Sequence, residues 1–258
     1  MEGFNHRSGK SLHVRGADIY YEAHGNESDP VLLFLHGALG NIEDLNGIVS
    51  QIPGNKFRIV GIDNRGHGKS TLGNEDLSYE LLQEEVEAVL RHLGIDKLTI
   101  IGFSNGGTVA YRLAVFSKLK VERLVTIGAP WSSEHIEHLR EPYSALTSEM
   151  WRQQCPADYA KFEQLSPESD FDRIFKQAIQ MALDTSSKSR PNQNVEHISC
   201  PVLALRGEND PVVSQSNLDE LVALLKNGRA VNIPNAGHEA FLDQLAELIK
   251  PIREFLHI

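Results

Sequence analysis

Gly102-Phe103-Ser104-Asn105-Gly106-Gly107 lies between the apolar run Leu98-Thr-Ile-Ile101 and a helix-compatible segment, residues 108–116. This is G-x-S-x-G in the order strand, turn, helix. A serine at the apex of so sharp a turn takes a strained backbone. Side chains two positions before and after it would collide as strand and helix close up, which accounts for the glycines. The serine hydroxyl is thereby presented at the carboxyl end of a strand. The amide of Asn105, at a helix start, is free to bind an oxyanion.

Outward from this turn the chain alternates between two periodicities. Val31-Leu-Leu-Phe-Leu35, Phe57-Arg-Ile-Val-Gly-Ile62, Leu124-Val-Thr-Ile127, Val202-Leu-Ala-Leu205 and Ala230-Val-Asn-Ile233 are nearly continuous apolar runs, as strands buried on both faces require. Two shorter runs, residues 12–14 and 19–22, flank Arg15-Gly16 and predict an antiparallel edge hairpin. Leu82, Val86, Val89, Leu90 and Leu93 form one helical stripe that ends at Gly94. Leu218, Leu221, Val222 and Leu225 form another that ends near Gly228. Such alternation predicts an α/β fold, a parallel sheet with helices on both faces. The rhythm breaks over residues 131–195, where no buried strand appears. Residues 149–162 and 171–183 are helix-compatible there, separated by Ser166-Pro167. The organisation predicted is a core of residues 1–130 and 196–258 interrupted by a helical cap, 131–195.

A nucleophilic serine needs a base, and the base needs an orienting carboxylate. After the run ending at Leu205 comes Arg206-Gly-Glu-Asn-Asp210-Pro, and after the run ending at Ile233 comes Pro234-Asn-Ala-Gly-His238. Both follow strand ends, the edge of a parallel sheet where sites form. Asp210, deeper in its loop and preceding Pro211, is favoured over Glu208 as the acid, and His238 is the base. His36-Gly37-Ala38 follows the first long apolar run, where a second oxyanion amide is drawn. That amide is assigned to Ala38, and His36 to hydrogen bonding between neighbouring loops.

The ordered set His36-Gly-Ala, Asp63-Asn-Arg-Gly-His-Gly-Lys-Ser70, Gly102-Phe-Ser-Asn-Gly-Gly107, Gly207-Glu-Asn-Asp210 and Gly237-His238 resembles the serine hydrolases of the α/β-hydrolase fold over nearly the whole chain. The resemblance implies a mostly parallel eight-stranded sheet with a helical cap between the sixth and seventh core strands. It implies a nucleophile elbow at Ser104 and a Ser104, His238, Asp210 triad, with Ala38 and Asn105 as the oxyanion hole. It also implies an esterase-like activity on an ester, thioester or lactone, without metal or organic cofactor. The subgroup it resembles also holds enol-lactonases, carbon–carbon bond hydrolases and cofactor-free perhydrolases, and a ligand receptor on a hydrolase fold is the alternative from another class. Serine at position 104 argues against dehalogenase and epoxide-hydrolase chemistry, which use a carboxylate there.

Composition narrows the partners. The chain has 258 residues, 25 Lys and Arg against 35 Asp and Glu, and a formal charge of −10, which disfavours nucleic acid and anionic membrane as partners. A small-molecule ester is the partner expected, with the oligomeric state left open. Two cysteines, Cys155 and Cys200, form no metal or disulfide pattern, and no export signal or spanning run is seen, so a cytoplasmic protein is expected. Gly68-Lys69-Ser70 ends like a P-loop but has Asp63 where that motif needs glycine. His135 and His138 have metal-ligand spacing but no third ligand, and are read as a solvated face. Phe103, Trp131 and Met150 are the residues expected to line the substrate pocket.

Overall fold

Successive side chains of the inner strands feed two different cores. Leu33 and Leu35 join Val60, Ile62 and Ile100 on one face of the sheet, while Leu32 and Phe34 join Ile59, Ile101 and Val125 on the other. A strand can face apolar layers on both sides only if helices cover both, and each such leucine contributes roughly 1.5–3 kcal/mol of burial. In the computed structural model, which describes residues 3–54 and 56–258, that is the arrangement found.

Eight strands run in the order β1-β2-β4-β3-β5-β6-β7-β8. They are β1 (Lys10–Val14), β2 (Ala17–His24), β3 (Val31–Leu35), β4 (Arg58–Ile62), β5 (Lys97–Phe103), β6 (Lys120–Ile127), β7 (Val202–Gly207) and β8 (Gly228–Ile233). The hairpin β1–β2 and the β2–β4 pair are antiparallel, and every pairing from β4 through β3 to β8 is parallel. The chain leaves β3 toward β4 on one side and returns to β5 on the other. The carboxyl ends of β3 and β5 therefore flank a topological switch point, where ligand crevices open.

The helices are α1 (Asn46–Val49), α2 (Tyr79–His92), α3 (Asn105–Phe116), α4 (Glu137–Ala145), α5 (Ser148–Gln154), α6 (Pro156–Leu165), α7 (Phe171–Leu183), α8 (Gln215–Leu224), α9 (Ala240–Asp243) and α10 (Leu245–Leu256). The mostly parallel eight-stranded sheet and the helices on both faces agree with the sequence reading. Between β6 and β7 the chain forms α4 to α7, and the helical stretch read as 149–162 is two helices. Cys155 ends α5 with φ −123°, ψ 57°, and Pro156 starts α6, because proline cannot continue a helix but suits its first turn.

The turn after β4 is fixed by buried polar contacts. Arg65, fully buried, donates through Nε to Glu85 at 2.7 Å and through Nη1 to the Leu72 carbonyl at 2.9 Å. Asp63 accepts from the amides of Ile42 at 3.0 Å and Lys69 at 2.8 Å. The Gly68-Lys69-Ser70 segment is thereby a turn held against its own preceding strand.

Candidate active site

Ser104 ends β5 and starts α3 with φ 48°, ψ −117°, a sparsely populated conformation that costs about 1–3 kcal/mol. The surrounding backbone holds it there. An added Cβ at Gly102 would lie 2.6 Å from the Gly106 carbonyl oxygen, and one at Gly106 would lie 2.3 Å from that of Leu35. Strand, helix and the end of β3 thus touch backbone to backbone. The Ser104 amide donates to the Ile127 carbonyl at 2.9 Å, which ties the turn to β6.

His238, in the loop after β8, brings Nε2 to 3.0 Å from Ser104 Oγ. Its Nδ1 lies 3.0 and 3.1 Å from the two carboxylate oxygens of Asp210, in the loop after β7. A carboxylate only accepts, so the proton of the neutral ring sits on Nδ1 and Nε2 faces the serine hydroxyl as acceptor. The Asp210 carboxylate is buried and is held in turn by the Val212 amide at 2.7 Å and the Val213 amide at 3.2 Å. Glu208 is exposed and accepts from the Asn235 amide instead, at 3.1 Å. Three residues spread over 134 positions of sequence, from Ser104 to His238, therefore meet in one hydrogen-bonded chain at the carboxyl edge of the sheet.

Asn105 is the first residue of α3, so its amide has no carbonyl partner within the helix. Ala38 lines the same cavity as Ser104, just after Gly37, where an added Cβ would come within 3.4 Å of Ser104 Cβ. His36 is fully buried, accepts from the Asn64 amide through Nε2 at 3.0 Å and donates through Nδ1 to the Gly37 carbonyl at 2.7 Å. Burial pushes its pKa down, which keeps the ring in this neutral form.

The cavity over Ser104 measures about 630 Å³. Its apolar wall comes from the helices between β6 and β7, through Leu139, Leu146, Trp151, Phe162, Phe175 and Ile179. Its rim is acidic, with Asp44, Asp158, Glu239 and Asp243. Asp44 is exposed to the cavity, yet it lies in a recess that pushes its carboxyl up to about 6, with Asp158 and Glu239 adding repulsion. Burial and Asp158 also raise Glu239.

Of the three pocket residues expected from sequence, Phe103 lines the cavity and packs its ring 5.0 Å from that of His238. Trp131 and Met150 are not among the described lining residues. The Trp131 indole turns toward α8, donates to the Asn217 carbonyl at 2.9 Å and lies against His135. Met150 is 41% exposed on the outer side of α5, and its neighbour Trp151 is the one that faces inward. Helical phase decides this, and residue type carries no information about it. The polar lining residues Arg190, Asp44, Asp158 and Glu239 had no signal in the sequence, because no motif includes them. His135 and His138 do not converge. Their Nε2 atoms go to Glu220 at 3.0 Å and to the Pro211 carbonyl at 3.1 Å. Among the described residues, no group of three or more His, Cys, Asp or Glu is placed to hold a metal, and no helix is long and apolar enough to cross a membrane.

The chain belongs to the alpha/beta hydrolase fold family, whose profile matches residues 30–162, and is an esterase-like hydrolase. A second profile, described as TAP-like protein, matches residues 176–257. The chain is similar to a putative esterase/lipase of Haemophilus influenzae, with 25% identity over 88% of this chain and 83% of the relative. It is similar also to the esterase YbfF of Escherichia coli, with 25% identity over 95% of this chain and 99% of the relative. Among solved structures, a carboxylesterase study of Nitrososphaera gargenis provides a chain of the same fold, with TM-score 0.79 and 19% identity over 96% of this chain and 97% of that one.

Proposed function

We propose that the protein hydrolyses a small carboxylic ester, thioester or lactone through an acyl-enzyme on Ser104. The observation that carries this reading is the hydrogen-bonded chain Ser104, His238, Asp210, with 3.0 Å between Oγ and Nε2. Ser104 Oγ attacks the carbonyl carbon while His238 Nε2 takes its proton. Asp210 holds the imidazole and stabilises the cation formed. Charge developing on the carbonyl oxygen is met by the amides of Ala38 and Asn105, each worth on the order of 3 kcal/mol in such sites. The tetrahedral intermediate collapses, the leaving group departs with the proton from His238, and water repeats the sequence on the acyl-enzyme. The helices between β6 and β7 act as a cap in this reading, excluding water from the reacting carbonyl and setting acyl choice.

Ser104→Ala is the test, measured against para-nitrophenyl esters of graded acyl length, with labelling by a serine-directed phosphonate alongside. The variant is expected to lose kcat by roughly 10⁶-fold while keeping its fold. In the wild type a single adduct is expected, on Ser104. A variant that retains a tenth of the activity, or an adduct on another serine, overturns the nucleophile assignment.

A further inference from the structure

The inner end of the cavity carries donors that ester hydrolysis does not use. Arg190 is 3% exposed and lines the cavity. Its Nη2 donates to the Ala182 carbonyl at 2.8 Å, and its Nη1 to the Asp184 carbonyl at 3.2 Å and to Ser189 Oγ at 3.1 Å. None of these acceptors is a carboxylate, and Nε–H has no partner among the described residues. The guanidinium lies 5.3 Å over the Tyr79 ring, and the Tyr79 hydroxyl donates to Asn105 Oδ1 at 2.6 Å. Asn105 Nδ2 is left without a partner among the described residues, on a residue 7% exposed that also lines the cavity. Tyr143 of α4 lines it too. Burial, with the nearby Tyr79 and Asp210, pushes its phenol up to about 12, so it is a neutral donor in the working range.

An arginine cannot shed its proton, and a buried donor without an acceptor is costly, most of all a charged one. Arg190, Asn105 and Tyr143 all line the cavity, and the group that suits an arginine, an amide NH₂ and a phenol is one that only accepts and carries negative charge, a carboxylate. The other cation of the lining, Lys161, is already bonded to Glu43 at 2.8 Å, and the exposed Asp44, Asp158 and Glu239 repel an anion, which leaves Arg190 as the cation to meet it. Asp44, Asp158 and Glu239 are exposed, the side on which a departing alcohol meets solvent, so the buried residues are assigned to the part retained on the serine.

We propose that Arg190, the Asn105 side chain and Tyr143 form a subsite for a carboxylate on the acyl part of the substrate, so that monoesters of short dicarboxylic acids are preferred over neutral esters of the same length. This rests on the reading of Ser104 as the nucleophile of an ester hydrolase. The test compares the monomethyl esters of succinate, glutarate and adipate with the methyl esters of neutral acids of matched length. In the wild type, kcat/KM is expected to favour the anionic member at one length or more by about tenfold or greater. Arg190→Gln is expected to bring that ratio toward one, and Arg190→Lys to retain part of it. Arg190 also anchors the end of α7, so its variants can fail to fold. The second measurement avoids them, titrating the Ser104→Ala protein with monomethyl glutarate and with methyl pentanoate by calorimetry. Tighter binding of the anion by tenfold or more, weakened by added salt, supports the subsite. Equal binding of the two, or hydrolysis of neutral esters as fast as anionic ones at every length, overturns it and leaves Arg190 as a helix anchor. If the wild type hydrolyses none of the esters, the ester reading fails, and the titration alone decides the anion subsite.

Discussion

Gly128 follows β6 with φ +55°, and an added Cβ there would come 3.0 Å from Asp210 Oδ2 and from Cε1 and Nδ1 of His238. The α-carbon is in effect the floor under the acid and base. Gly128→Ala is therefore expected to lower kcat by about tenfold, since the contacts force shifts of only tenths of an ångström where about 1 Å can cost 10²-fold, with a lower melting temperature from the positive φ. Steady-state kinetics beside a thermal melt check it, and unchanged kcat would show that the pair tolerates the intrusion. The choice of acid is separately decidable. Asp210→Asn is expected to cost roughly 10⁴ in kcat, because an amide at this position leaves the imidazole in the wrong tautomer, while Glu208→Gln is mild. Kinetics showing the reverse order would move the role to Glu208.

The helices between β6 and β7 show where sequence reading succeeds and stops. The strand runs were legible because burial on both faces leaves no polar alternation, and α7 begins and ends at the residues its periodicity marked, Phe171 and Leu183. By contrast α4 carries a single buried residue, Leu139, and has Pro142 inside it, so it offers no stripe. The meeting of Ser104, Asp210 and His238 in one hydrogen-bonded chain was legible because strand ends place them and chemistry restricts their type. Pocket walls are set by which way a helix turns, as Trp151 and Met150 show, and a sequence does not give that phase. If the cap sets acyl choice, substitutions at its inward residues should move the preference and outward ones should not. Ile179→Phe is expected to favour shorter acyl chains and Trp151→Leu longer ones, by about 10 to 200-fold in kcat/KM, with Met150→Ala without effect. A profile over acetate to octanoate esters that stays flat for both inward variants rejects the cap as the filter.

At the scale of the whole molecule, the loops that carry the site are locked by neutral histidines buried in the core, and this makes stability depend on pH. The His36 and His67 rings lie 5.3 Å apart, both buried, and His67 donates through Nδ1 to the Arg65 carbonyl at 2.8 Å. Burial, with repulsion from His36, pushes His67 down to about 4 from the ordinary 6.5 of a histidine. In that window the unfolded chain binds a proton that the folded one refuses, so stability rises with pH from about 4 to 6.5 and is lost as pH falls through it. The shift corresponds to about 3 kcal/mol at its fullest, reached below the folded pKa. A lowered His36 acts in the same direction. His6 has the opposite sign. Burial opposes its charge, but its contacts with Asp63 at 2.8 Å and Glu43 at 2.6 Å outweigh that and raise it, so its contribution is present below 6.5 and fades as pH rises. Lys161 of α6 bonds the same Glu43 at 2.8 Å, so the His6 network joins the loop after β3 to the helices between β6 and β7. The two signs separate experimentally. Urea unfolding at pH 4.5 and pH 7 is expected to show a smaller loss of stability on acidification for His67→Gln than for the wild type, and a larger one for His6→Gln. Equal losses in all three proteins would place the acid sensitivity outside these histidines.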